Sequence, residues 1–207
     1  MQVLSLCEKD CPERIPYYNS LGQEIGNGSD GQVFEIANSN RVIKYCILYQ
    51  DFSEDLHYRY SKIKKAICYI KDNKPSTCAR VYDFSFLVFG SRKLFNGLKQ
   101  DYIIYYYTME KLSKISDDEK KVFHTILSHE DRGIVKNFSE EKLRETLFGL
   151  SRGLDFDEGR VILFYNNLKN SSIQHLDIHV RNIMKDLEGN FRLIDFDRVK
   201  IGDTLNE

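Results

Sequence analysis

A chain of 207 residues is long enough for one domain of ordinary size or two small lobes, and with 42% hydrophobic and 29% charged side chains it reads as globular rather than disordered. Its net charge of -1 spreads no basic field for nucleic acid or anionic lipid, and no apolar run approaches the roughly 18 residues of a membrane span. The first ten residues are too short in their apolar part for a signal peptide, and five cysteines, an odd number with no zinc-like spacing, suit a reducing compartment. A soluble monomer acting in a cytosol is expected, with export by a route lacking a cleaved signal left open.

Residues 1–20, with Pro12, Pro16 and no clear period, read as an N-terminal leader. Strand signals then dominate to residue 112. Segments 21–25 and 32–37 flank a glycine-rich turn and predict a hairpin; 41–48 predicts a third strand, and 81–89 and 101–109 two more around a polar turn. Between them, 53–73 is helical, because Leu56, Tyr60, Ile63, Ile67 and Ile70 recur at three- and four-residue steps. Ser53 is its expected N-cap, with Glu54 and Asp55 in the first turn and Lys74-Pro75 ending it. Cys46 and Cys68 read as buried thiols.

From residue 113 the period is helical. Ser116-Asp117-Asp118-Glu119 is a capping-box match that opens a helix to about Ser128. Further helices are expected at 139–150 and 157–170, the latter with Val161, Phe164, Tyr165 and Leu168 on one side. Two short apolar segments, 182–185 and 191–194, follow around a turn at 187–190. The order predicts an α+β fold: a five-stranded antiparallel N-lobe at 21–112 with one inserted helix, and a reduced helical C-lobe at 113–207.

Five motifs fall on these elements. Gly26-Asn27-Gly28-Ser29-Asp30-Gly31-Gln32-Val33 matches G-x-G-x-x-G-x-V between two strands, where missing Cβ atoms let backbone approach phosphate oxygens. Its alternative is a plain hairpin turn. Lys44 follows thirteen residues after Gly31 on the next strand, suited to pairing with phosphates or simply solvated. Its expected acidic partner is Glu54, with Asp55 second. Met109, Glu110 and Leu112 lie where the β-rich part ends, at a linker whose backbone suits an adenine. His175, Asp177 and Asn182 form H-x-D-x-x-x-x-N, and Asp195-Phe196-Asp197 begins thirteen positions after Asn182. Asp177 is the expected base for an attacking hydroxyl; Asn182 and Asp195 are the expected ligands of magnesium, or manganese in its place, on ATP. His175 props the loop; His179 either neutralises phosphoryl charge or is only a loop residue, and Arg181 either serves the same purpose or is simply solvated. Asp197 stands where such triplets usually carry glycine.

On these residues the sequence resembles the protein-kinase-like superfamily from Gly26 to Asp197. The resemblance implies a nucleotide loop at Gly26, Gly28 and Gly31, a phosphate-pairing Lys44, a hinge at 110–112, a catalytic Asp177, and metal ligands Asn182 and Asp195. Only ten residues follow Asp197, and none reads as an activation segment, so competence without that switch, or a partner switch, is expected. Asp177-Ile178-His179 is similar to small-molecule kinases, and Leu193-Ile194-Asp195-Phe196-Asp197-Arg198 looks like lipopolysaccharide-core kinases. In size and motif set the chain resembles the minimal type III effector kinases of bacteria, the HopBF family first and OspG and NleH beside it. That likeness implies a serine/threonine protein kinase and virulence effector, bacterial or delivered to a host cytosol. The HopBF likeness implies host heat-shock protein 90 as substrate, and the OspG likeness stimulation by a ubiquitin-conjugating enzyme. A kinase-fold binding module is the remaining alternative.

Overall fold

Alternating and continuous apolar runs in the first half of the chain form strands, and the later three- and four-residue periods form helices. The computed structural model of the chain describes residues 15–28, 31–51, 53–128 and 139–202. Ser29 of the glycine motif, Cys7, Cys11 and most of the expected leader lie outside them. The described residues form two compact units. One takes in the residues up to Asp72 together with Arg80–Lys111; the other takes Asn73–Ala79 and the residues from Leu112 on.

The first unit is built on an antiparallel sheet of β1 (Leu21–Asn27), β2 (Gly31–Ile36), β3 (Arg41–Tyr49), β4 (Val81–Lys93) and β5 (Lys99–Glu110), in spatial order β1-β2-β3-β5-β4. Residues 42–48 of β3 are all buried, because β3 is central and both of its faces are covered. On one face Phe34, Ile43, Tyr45, Tyr102 and Tyr106 cluster with Ile15. The Tyr45 hydroxyl donates to the Pro16 carbonyl at 2.6 Å. The end of the expected leader is therefore part of this core. The other face carries helix α1 (Leu56–Asn73), which buries Leu56, Ile63, Ala66, Ile67 and Ile70 and sets Tyr60 5.9 Å from Tyr105.

The start of α1 differs from the sequence reading. Asp55, not Ser53, is the cap: its carboxylate accepts from Tyr58 N–H at 2.9 Å, and the first turn holds no acid. Glu54 precedes the helix and pairs with Lys62 at 2.5 Å. Asp55 wins because the first helical carbonyl bond runs from Arg59 N–H to its own oxygen, so its short side chain meets the unpaired N–H groups. Cys46 and Cys78 are buried free thiols and Cys68 is only half-buried; burial pushes Cys78 up to about 12.

The second unit holds α2 (Asp117–Ser128), α3 (Glu140–Leu150) and α4 (Glu158–Lys169). The capping box at α2 forms as expected: Glu119 N–H donates to the Ser116 hydroxyl at 3.1 Å, and Ser116 N–H to the Glu119 carboxylate at 2.8 Å. Ser139 and Asp157 cap the next two helices. Their apolar stripes meet in a core of Val122, Phe123, Leu143, Leu147, Val161 and Phe164. Phe191 packs edge-on against Phe123 with centroids 4.8 Å apart, a geometry that adds about 0.5–1.5 kcal/mol to its burial.

Short strands supply the rest. β6 (Ser113–Lys114), β8 (Ile183–Lys185) and β9 (Phe191–Leu193) form one sheet, and β7 (Ile173–His175) pairs with β10 (Val199–Ile201). The segment at 73–79 joins this unit through Leu193, whose carbonyl accepts from Ala79 N–H at 2.8 Å and whose N–H donates to the Thr77 carbonyl at 2.7 Å.

Candidate active site

In the first unit the glycine motif is a hairpin turn. Asn27 pairs with Gln32 and Gly26 with Val33, and Gly28 N–H donates to the Gly31 carbonyl at 2.9 Å. Glu24, which the sequence did not mark, stiffens the turn: its two carboxylate oxygens accept from Asn27 Nδ2 at 2.9 Å and Gln32 Nε2 at 3.1 Å. The glycines differ in kind. A Cβ on Gly31 would fall 2.5 Å from the Tyr45 carbonyl oxygen, whereas one on Gly28 would meet nothing within 4 Å. Gly31 therefore admits the neighbouring strand, and Gly28 leaves open space above the turn.

Lys44 lies directly opposite Val33 on β2 and Tyr107 on β5, and it is 8% exposed. A Cβ on Gly31 would fall 3.4 Å from Lys44 Cε, so the lysine stem runs along the glycine turn. So buried, Lys44 is not the solvent-facing strand lysine that was its alternative. Its expected partner Glu54 is engaged with Lys62. Met109 is buried at the end of β5. Glu110 donates its N–H to the Arg80 carbonyl and accepts Arg80 N–H on its carboxylate at 2.8 Å, and Lys111 N–H goes to the Asn40 carbonyl. Of the expected linker residues, Leu112 belongs to the second unit.

In the second unit the β8–β9 hairpin brings two motif residues together. Ile183 faces Leu193, so Asn182 comes opposite Ile194, whose N–H donates to the Asn182 carbonyl at 2.9 Å. Asp195 follows at once. The hairpin is secured by buried Asp186, which accepts from Asn190 N–H at 2.8 Å and from Arg192 Nη2 at 2.7 Å; Arg192 also donates to the Ser76 carbonyl. Lys185 pairs with Glu119 of the capping box.

Two side chains tie the Asp177 loop to this hairpin. His175 is 2% exposed, and burial holds its imidazole below the usual histidine range. It is therefore neutral, with the Nε2 proton donated to the Ile194 carbonyl at 3.1 Å and Nδ1 accepting Asp177 N–H at 3.3 Å. The second tie is Asn182, whose Nδ2 donates to the Asp177 carbonyl at 3.0 Å. That bond commits the amide nitrogen and leaves Oδ1 as the atom able to meet a cation. His175 thus props the loop as its sequence position suggested.

Asp195 adopts φ 67°, ψ 82°, a left-handed backbone that costs a non-glycine residue about 1 kcal/mol or more. The unusual backbone of the triplet is at Asp195; Asp197 sits in the following 3-10 turn, Phe196–Arg198. His179 accepts Arg181 N–H on Nδ1 at 3.2 Å, which turns Nε2 toward Asp177 Oδ2, 3.8 Å away. Beside this loop His124, Leu127, Ile178, His179, Val180 and Arg181 line an open pocket of ≈ 510 Å³.

Among the described residues no group of three or more His, Cys, Asp or Glu side chains could hold a metal ion by itself. Asn182 and Asp195 are two oxygen donors, a set that suits a hard cation completed by ligand oxygens and water. No helix among the described residues is long and apolar enough to cross a membrane.

No protein-family model matches the chain, and no curated protein matches it. Among solved structures it is similar to WbdD in complex with the kinase inhibitor LY294002, at 16% identity and TM-score 0.40 over 86% of this chain and 33% of that one. A second WbdD structure is similar at 14% identity and TM-score 0.42, over 87% of this chain and 33% of that one. The chain thus spans about a third of the length of the WbdD chains it resembles.

Proposed function

We propose that the chain is an ATP-dependent phosphotransferase of the protein-kinase-like kind, transferring the γ-phosphate to a Ser/Thr hydroxyl of a protein. The observation that carries this reading is the tie between Asp177, Asn182 and the Ile194–Asp195 segment that follows β9. His175 holds both the Asp177 N–H and the Ile194 carbonyl. A carboxylate suited to general-base work and two oxygen donors suited to a cation thereby share one stiff element. Phosphoryl transfer asks for this kind of positioning and charge placement rather than for covalent chemistry.

In the proposed reaction Asp177 accepts the proton of the acceptor hydroxyl. The hydroxyl oxygen bonds to the γ-phosphorus, the bond from phosphorus to the β,γ-bridging oxygen breaks, and ADP leaves. Asn182 Oδ1 and Asp195 would hold magnesium or manganese, which when bound supplies positive charge against the phosphates. By the family resemblance, the nucleotide contacts would be Gly26, Asn27, Gly28, Ser29, Gly31, Val33 and Lys44, with Met109, Glu110 and Leu112 for the adenine. His179, 3.8 Å from Asp177 Oδ2, would stand beside the transferring group.

The resemblance to minimal effector kinases supports a protein acceptor, with host heat-shock protein 90 the first to test, a ubiquitin-conjugating enzyme as a stimulating partner, and delivery into a host cytosol. The test is label transfer from ATP to a host lysate by wild type, Asp177→Ala and Asp195→Ala, with mass spectrometry of the labelled protein. Loss of about a hundredfold or more in both variants is expected; equal labelling by all three overturns the reading. One observation favours a second acceptor class. The ≈ 510 Å³ pocket beside the loop, lined by two histidines and an arginine, is of small-molecule size. ATP consumption with sugars, aminoglycosides and amino alcohols separates the two.

A further inference from the structure

The far end of the β4–β5 ribbon carries charge and apolar surface that the fold does not use. The last β3–β5 pair is Tyr49 with Tyr102, yet β4 and β5 go on pairing to Lys93 with Lys99. Residues 92–100 thus form a two-stranded ribbon beyond the sheet. Across 90–100 the chain has Arg92, Lys93 and Lys99 and no acidic residue, although the whole chain carries a net charge of -1.

Arg92 has a structural task. Its guanidinium donates to Gln100 Oε1 at 2.6 Å and to the Tyr49 hydroxyl at 3.2 Å, and it lies 3.9 Å over the Tyr49 ring. Lys93 and Lys99 face each other directly, an arrangement that destabilises a sheet. Lys99 makes a long, exposed ion pair with Asp101 at 3.9 Å. At the turn Phe95 is 115% exposed and Leu98 55%, with Gly97 at φ 80° between Asn96 and Leu98. Strand alternation puts both lysines on the face of Phe89, which stacks on His57 at the start of α1. That helix adds exposed Lys62, Lys64 and Lys65, with Glu54 against Lys62 and Asp72 as its one acid.

We propose that this ribbon tip docks on an anionic lipid surface, with Phe95 and Leu98 entering the interface and Lys93 and Lys99 meeting the headgroups. A lipid interface relieves both anomalies at once, since it takes apolar side chains below a layer of negative charge. The small footprint of one turn also fits a membrane better than a protein groove, because specific protein partners need about 800 Å² on each side. The charge that the whole chain lacks is thus concentrated locally.

The chain contains no tryptophan, so Phe95→Trp makes the tip the sole indole emitter. A blue shift and co-sedimentation are expected with vesicles of phosphatidylcholine plus phosphatidylserine, weakened by salt, and neither is expected with phosphatidylcholine alone. In the otherwise native chain, Lys93→Glu turns the repulsive pair into an attractive one, so it keeps the melting temperature while weakening vesicle binding about tenfold. Phe95→Asp with Leu98→Asp abolishes binding at an unchanged melting temperature. Emission that ignores anionic vesicles, equal binding to both vesicle types, or binding that survives these variants overturns the proposal. So does a blue shift with soluble polyglutamate but not with vesicles, which would point to an acidic protein instead.

Discussion

The glycine turn between β1 and β2 and the loop from His175 to Asp195 keep their shapes by different means. The turn is set by backbone: Gly31 admits the Tyr45 carbonyl, and the outer positions are steadied by Glu24 at the surface. The loop is set by buried side chains, with His175 and Asn182 each crossing from one chain segment to another. At Gly28 the turn has room for a side chain, because an added Cβ would meet nothing within 4 Å. The loop built the other way has the Asp177 backbone bonded by two side chains and carries backbone strain at Asp195.

The largest test of this contrast is at Asp195. Asp195→Gly relieves the left-handed backbone and is expected to raise stability by about 1 kcal/mol while lowering phosphoryl transfer about a thousandfold. A thermal melt and a label-transfer assay on one sample check both signs. His175→Ala comes next. It leaves the Ile194 carbonyl and Asp177 N–H without their partner and is expected to cost about 2–4 kcal/mol in denaturant unfolding. A third comparison sets two glycines of one motif against each other. Gly31→Ala should destabilise by about 1–3 kcal/mol through its clash with the Tyr45 carbonyl. Gly28→Ala should stay within about 0.5 kcal/mol of wild type and change only nucleotide affinity.

A further effect is that of pH. Burial holds the His175 pKa below the usual histidine range, so the unfolded chain binds the proton that the folded chain refuses. Stability is then full above about pH 6.5 and declines as pH falls below it, by at most about 1.4 kcal/mol per pH unit, until the folded-state value is passed. Urea melts of wild type and His175→Gln across that range read the difference.

Much of the fold was legible because its signals are local. The Ser116–Glu119 capping box, the caps at Ser139 and Asp157, and the stripe of Leu56, Ile63, Ile67 and Ile70 each lie within a few residues of their partners. The nearness of Asn182 to the Ile194–Asp195 segment follows from one hairpin register, while His175 and Asp177 reach it only through hydrogen bonds of buried side chains. Strands β6, β7 and β10 were not legible, because two or three residues carry no period and each finds its partner across a long stretch of chain. Glu24 escaped notice because a surface carboxylate gains meaning only once Asn27 and Gln32 are paired. Asp195 escaped because an aspartate gives no sequence sign of left-handed backbone. The cap of α1 went to Asp55 rather than Ser53, two short polar choices two residues apart that sequence alone ranks almost equally.

The strap at 73–79 has a use of its own. Cys78 lies against Leu193, its sulfur hidden from solvent and its thiol pushed up to about 12 by burial. An alkylating reagent needs both access and a thiolate, and the native strap denies it both. Modification at this cysteine therefore waits for the strap to detach from the strand leading to Asp195. Its rate in reagent is a stopwatch on how often that support lets go, readable residue by residue without any catalytic assay.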